Sequence, residues 1–176
     1  MRVVVSGDLG AGKSTAVSAV MRLLGWTHPA GFFTHWGGAK RGAGVLYLET
    51  WRGECRPIAF RRESPAAPGE LPYELDAAAF LAAALPACRS VGPRDPVVLD
   101  ELGLIEWNTP EFVAAVVKLF RGDSPVLAVV QRRALDRWLE AIGRERVDHI
   151  AEVKPATRDA LPGRLAGCFA GVEMNE

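Results

Sequence analysis

Near the amino end, Val3-Val4-Val5-Ser6 runs straight into Gly7-Asp8-Leu9-Gly10-Ala11-Gly12-Lys13-Ser14-Thr15. This is a G-x-x-x-x-G-K-[ST] loop in its usual setting, a β-branched run, a glycine turn and then a helical pattern. The glycines let the backbone curl so that its N–H groups form a nest for phosphate oxygens. The following helix points its positive end at the same anion. Gly7 to Thr15 are therefore the expected phosphate-binding residues, with Lys13 reaching the β- and γ-phosphates of a nucleoside triphosphate. The Ser14 hydroxyl is an expected ligand for Mg²⁺.

The 176 residues suffice for one sizeable core, and a single domain over 1–176 is expected. Twenty-one basic residues balance twenty-one acidic ones, which speaks against a nucleic-acid partner. Cys55, Cys88 and Cys168 are far apart and show no zinc-ligand spacing, so reduced thiols in a cytoplasmic protein are expected and a zinc site is not. The early phosphate loop leaves no room for a signal peptide, and no apolar run reaches membrane-spanning length.

Strand and helix signals alternate, the pattern of an α/β fold with a mainly parallel sheet. Strands are expected at Arg2–Ser6, Ala30–Trp36, Val45–Trp51, Cys55–Phe60, Pro96–Asp100, Pro125–Val130 and Val147–Val153. The third and fourth of these should pair as an antiparallel hairpin turning near Arg52-Gly53. Helices are expected at Lys13–Leu24, stopped by Gly25, at Tyr73–Cys88, from Thr109-Pro110 onward with Thr109 as N-cap, and at Leu135–Ile142, stopped by Gly143. Thr157 should cap a last short helix, and 61–72 reads as a loop.

Val97-Val98-Leu99-Asp100-Glu101 supplies the partner that a phosphate loop needs. A buried strand delivers Asp100, which can hold Mg²⁺ directly or through a water, and Glu101 beside it can polarise a water for in-line attack on the γ-phosphate. Lys13 and Glu101 are the expected catalytic pair. The strand ending at Val130 leads into Gln131, Arg132 and Arg133. Gln131 could orient water, and an arginine could offset transition-state charge, a role worth ~10³–10⁵ in rate. The same arginines could equally be solvated charges at a strand end.

Four pieces together resemble a known family, the small P-loop nucleoside-triphosphatases of thermophile type, which has a human cancer-related member. They are the loop at Gly7–Thr15, Gly31-Phe32-Phe33-Thr34, the D-E-[IL]-G-x-[ML]-E stretch from Asp100 to Glu106, and the end from Glu152 to Leu161. The resemblance implies a RecA-like P-loop core of the additional-strand class, a three-layer sandwich with a β-hairpin addition near 44–60. It places the Val126 strand between the first strand and the Asp100 strand. It also implies magnesium-dependent hydrolysis of nucleoside triphosphates with loose base preference. The chain departs from the pattern at His35 and Trp36, where an acid and a base usually stand, at Gln131, and at Thr157 in place of Asn.

Some residues stay open between two readings. Glu106 is either a surface acid or an organiser of the loop around the site. Lys40 and Arg41 either close over phosphate or sit in a solvated turn, and Trp36 and Trp107 each flank a motif and could stack a base. His28, His35 and His149 look like dispersed polar positions. The alternatives to a hydrolase are a nucleoside or nucleotide kinase, with Arg52–Arg62 as its lid, and a nucleotide-dependent accessory protein that switches between states. A protein partner or self-association is left open.

Overall fold

The computed structural model describes residues 1–38, 44–63, 70–92 and 94–171. Strands β1 (Arg2–Gly7), β2 (Ala30–His35), β3 (Val45–Thr50), β4 (Cys55–Arg61), β5 (Tyr73–Leu75), β6 (Val97–Leu102), β7 (Val126–Val130) and β8 (His149–Val153) form one eight-stranded sheet. The helices are α1 (Lys13–Leu24), α2 (Ala77–Arg89), α3 (Pro110–Arg121), α4 (Leu135–Ile142) and α5 (Leu161–Phe169).

The sheet order is β5-β4-β3-β2-β6-β7-β1-β8. From β2 to β8 every neighbouring pair is parallel, while β2-β3-β4-β5 is antiparallel. As expected, β7 lies between β1 and β6. The central strands read as unbroken apolar runs because both their faces are covered. Val3, Val4, Val5 and all of Val126–Val130 are buried. One face packs Phe32, Leu99 and Ala128 against Phe80 of α2, Phe112 of α3 and Trp138 of α4. The other packs Val3, Val5 and Val129 against Val17 and Val20 of α1 and Leu161 and Leu165 of α5. Among the described residues no helix is long and apolar enough to cross a membrane.

Local signals place several elements well. α1 spans Lys13–Leu24 and ends at Gly25, whose φ of 67° suits a residue without a Cβ. α4 spans Leu135–Ile142 and stops at Gly143. The hairpin β3–β4 turns where Arg52-Gly53 predicts it, and Gly53 N–H donates to the Thr50 carbonyl at 2.9 Å.

Three expectations need correction. Tyr73–Leu75 is not helical but forms β5 against Ala59–Arg61 of β4. The helix starts after Asp76, whose carboxylate accepts from Ala79 N–H at 2.9 Å and so fixes the start. Thr109 does stand at the head of α3, before Pro110, but its hydroxyl donates to the Glu106 carbonyl at 2.5 Å instead of capping the helix. Thr157 does not cap α5, which begins at Leu161. The N–H groups of Thr157 and Arg158 both bond to the Lys154 carbonyl, closing a separate turn first. Pro162, which has no N–H to satisfy, then fits the first turn of α5.

Gly31 makes the close contact between β2 and β6 feasible. Its φ is 98°, and a Cβ there would lie 2.2 Å from the Val98 carbonyl oxygen. Gly31→Ala is expected to destabilise the protein by about 3 kcal/mol, measured as a lowered urea midpoint. A variant as stable as its parent would contradict this packing.

Candidate active site

The phosphate loop is built by the end of β1. Ser6 Oγ donates to the Val130 carbonyl at 2.9 Å, tying β1 to β7 just before the turn. Gly7 ends β1 against Val153 of β8, where a Cβ would meet the Val153 carbonyl oxygen at 2.8 Å. Ala11 N–H closes the loop on the Asp8 carbonyl at 3.2 Å, and Ala16 N–H makes the first helical bond to Gly12 at 2.9 Å. The first turn of α1 has no acidic residue and no side-chain cap. Its leading N–H groups therefore face the loop, where an anion can take them. Ser14 and Thr15 are exposed at this helix start.

Lys13 is buried at 7 % exposure. Its ammonium donates to the carbonyls of Gly7 at 3.2 Å and Asp8 at 3.0 Å. It also stands 3.8 Å from Glu101 Oε2. Lys13 heads α1 just past β1, Glu101 lies on β6, and β7 runs between those two strands. Gln131, just past β7, donates from Nε2 to Glu101 Oε1 at 2.6 Å. Arg133 Nε in turn donates to Gln131 Oε1 at 3.2 Å. Lys13, Glu101, Gln131 and Arg133 thus form one polar chain. Asp100, next to Glu101, is buried at 6 % exposure at the carboxyl end of β6.

The turn after β6 holds this chain in place. Gly103 N–H donates to Glu106 Oε2 at 2.9 Å, and the Gly103 carbonyl accepts from Trp138 Nε1 at 2.9 Å. A Cβ at Gly103 would lie 2.8 Å from the Gln131 amide carbon, so glycine leaves room for that side chain. Glu106 is not a surface acid, for it is 2 % exposed and organises this turn.

Burial pushes the Glu106 carboxyl up to about 7 from its ordinary 4.5. The backbone N–H groups of Glu106 and Gly103 pull it back, Glu101 pushes it up, and Arg133 lowers it. A folded-state value above the unfolded one means that the stabilising contribution is fully present below about pH 4.5 and is lost as pH rises through about 7. The loss is on the order of 3 kcal/mol. Glu106→Gln is expected to remove that slope and to exceed its parent in stability at about pH 8 but not at about pH 4, as read by urea unfolding. Parallel pH profiles for the two proteins would contradict the buried carboxyl.

A cavity of about 580 Å³ opens in front of this chain. Gly7, Asp8, Leu9, Lys13, Glu101 and Gln131 line its polar part. Trp36, Leu46, Leu71, Tyr73 and Ile105 form an apolar wall, in which Trp36 and Tyr73 meet at 4.9 Å. Of the two tryptophans that flank motifs, only Trp36 faces the cavity. Trp107 packs edge-on against Trp138, with the Arg137 guanidinium 4.3 Å from its ring. Sequence reasoning missed Leu46, Leu71, Tyr73 and Ile105, since four apolar residues from separate elements carry no local mark.

The arginines past β7 differ. Arg132 Nε meets Asp8 Oδ1 at 2.8 Å, and its Nη2 pairs with Glu152, whose other oxygen meets Lys154 Nζ at 2.8 Å. It ties the loop to β8. Arg158 Nε pairs with its neighbour Asp159, at 3.5 Å. Lys40 and Arg41 lie outside the described residues, as do residues 64–69 of the loop expected at 61–72, whose first residue, Arg61, ends β4.

The sequence model of the family described as NTPase matches residues 2–166. A curated relative, nucleoside-triphosphatase THEP1 of Methanosarcina barkeri, is 30% identical over 96% of this chain and 97% of its own length. The protein of the same name from Thermococcus kodakarensis is 32% identical over 78% of this chain and 80% of its own. Among solved structures, THEP1 from Aquifex aeolicus superposes with a TM-score of 0.76 at 20% identity, covering 94% of this chain and 96% of that one. A human cancer-related nucleoside triphosphatase superposes with a TM-score of 0.75 at 23% identity, covering 98% and 99%. The two structures show a shared fold, and the sequence match over nearly the whole chain shows the lineage: the chain belongs to the NTPase family.

Proposed function

We propose that residues 1–176 act as one nucleoside-triphosphatase domain, which hydrolyses the β–γ bond of ATP, GTP and other nucleoside triphosphates in the cytoplasm. The observation behind this is the approach of Lys13 Nζ to Glu101 Oε2, at 3.8 Å, beside the glycine loop and at a cavity of about 580 Å³. The names of the curated relatives point the same way. The free thiols of Cys55, Cys88 and Cys168 accord with a reducing compartment.

On binding, the N–H groups of the Gly7–Thr15 loop take the phosphate oxygens. Lys13 gives up the neutral carbonyls of Gly7 and Asp8 for anionic phosphate oxygens, an exchange that favours the ligand because full charge attracts the ammonium more strongly than a carbonyl dipole does. Water attacks the γ-phosphorus, its proton passes to Glu101, and the bridging oxygen leaves with the nucleoside diphosphate. Gln131 holds Glu101 Oε1 and so fixes the carboxylate, whose Oε2 lies on the Lys13 side. Arg133, tied to Gln131, is the arginine we assign to the developing charge, since Arg132 is held by Asp8 and Glu152.

Ser14 and Asp100 would hold Mg²⁺. The donors fit it, being a hydroxyl at an exposed helix start and a buried carboxylate, both hard oxygens. An ion held there would offset the negative charge of the triphosphate.

Product analysis tests the reading. With γ-labelled ATP and no acceptor, the label should appear as free phosphate. Label recovered on an added nucleoside, with no free phosphate in its absence, would make the protein a kinase. The arginine-rich stretch proposed as a kinase lid is instead a β-turn and strand β4.

A further inference from the structure

The antiparallel strands β2, β3 and β4 have two unlike faces. α2 covers the face bearing Phe32, Leu48 and Ile58. The opposite face carries His35, Glu49 and Cys55, which the nucleotide site does not use. Glu49 lies directly across from Cys55 in the β3–β4 register, and His35 lies across from Tyr47, two residues earlier on β3. Side chains on such neighbouring positions share a face and come within reach of one another. His35 Nε2 is 3.2 Å from Glu49 Oε2 and 3.7 Å from Cys55 Sγ. All three ligand atoms lie within 4.8 Å of one another.

We propose that His35, Glu49 and Cys55 form a zinc-binding site, with the fourth position open to water or an outside ligand.

The spacing supports it. A tetrahedral zinc with bonds of about 2.3 Å to sulfur and about 2.1 Å to nitrogen and oxygen sets sulfur and nitrogen about 3.6 Å apart, and nitrogen and oxygen about 3.4 Å apart. The distances of 3.7 and 3.2 Å need shifts of only a few tenths of an ångström, and the Cys55–Glu49 pair, within 4.8 Å, closes to about 3.6 Å by a turn of the exposed thiol or carboxylate. A thiolate, an imidazole and a carboxylate suit zinc far better than magnesium, which takes oxygen donors. The histidine is also held ready. Its ring stacks on Tyr47 at 5.5 Å and 16°, and rests against Phe33 at 5.6 Å.

Its protons follow from the hydrogen bonds. Gly37 N–H donates to His35 Nδ1 at 3.1 Å, so in the neutral ring the proton sits on Nε2, toward Glu49. Zinc takes the Nε2 lone pair, the ring proton moves to Nδ1, and the Gly37 contact is released. The Cys55 proton goes to solvent as the thiolate forms. The exposed Gly37 hydrogen bond is lost, and the Nε2 contacts to Glu49 and Cys55 give way to bonds to the metal. Sequence spacing conceals the site, because its members come from three strands and only the hairpin register brings them together.

Cobalt, a spectroscopic stand-in for zinc, tests the site on the full metal-free chain. One equivalent should bind with an intense near-ultraviolet sulfur-to-cobalt band, and one equivalent of zinc should abolish that band. Cys55→Ser should lose the band, His35→Gln and Glu49→Gln should each weaken cobalt binding at least tenfold, and the pair Cys88→Ser with Cys168→Ser should keep it. Lys13→Ala should also keep it, which separates this site from the nucleotide site. No sulfur band in the parent protein, or a band that survives Cys55→Ser, would overturn the proposal.

Discussion

Glu101→Gln is expected to bind nucleoside triphosphate as well as the parent and to release phosphate ~10²–10⁴ times more slowly, the range a positioned general base contributes. The change is nearly isosteric. The Gln131 amide now donates to Glu101 Oε1 at 2.6 Å, and a glutamine amide oxygen can accept the same bond. The attraction to Lys13 across 3.8 Å is lost, but so is a negative charge facing the γ-phosphate. Binding should therefore hold or tighten while proton removal from water fails. Titration with a fluorescent triphosphate and single-turnover phosphate release measure the two separately. Hydrolysis at the parent rate would show that Glu101 is not the base.

Lys13→Ala should do the reverse and act first on binding. The ammonium is nearly enclosed and sits between two loop carbonyls and Glu101, so no surface cation can replace it. Losing hydrogen bonds to charged oxygens costs about 1.5–3 kcal/mol, or about 10- to 150-fold in triphosphate affinity. Removing the lysine also leaves Glu101 next to the γ-phosphate without its cation, which adds to the loss. Hydrolysis at subsaturating nucleotide should fall at least in proportion to the lost affinity. Calorimetric titration with a non-hydrolysable triphosphate reads the affinity, and an unchanged value would remove Lys13 from the phosphate site.

Much of this arrangement was legible in the chain because its signals are local. The glycine turn between Val5 and Lys13 announces strand, loop and helix together, and Gly25 and Gly143 mark helix ends by backbone geometry. The buried runs at Val97 and Val126 read as parallel strands since neither face meets water. What stayed hidden depends on contacts between distant residues. Tyr73–Leu75 is three residues long and is a strand only because β4 lies beside it, so an alanine-rich helix downstream masked it. The role of Glu106 turned on burial, which its neighbour Trp107 did not disclose. The apolar wall of the cavity draws on β3, β5 and the turn after β6, and no spacing rule joins Leu46, Tyr73 and Ile105. The link from Glu101 to Gln131 needed the order β6-β7-β1, which brings two strand ends side by side.

The most direct test of γ-phosphate hydrolysis at the Lys13–Glu101 site is turnover in ¹⁸O-labelled water with Mg²⁺. The released inorganic phosphate should carry one oxygen from the solvent and the nucleoside diphosphate none. Label in the diphosphate, or triphosphate left intact after prolonged incubation, would contradict water attack at the γ-phosphorus.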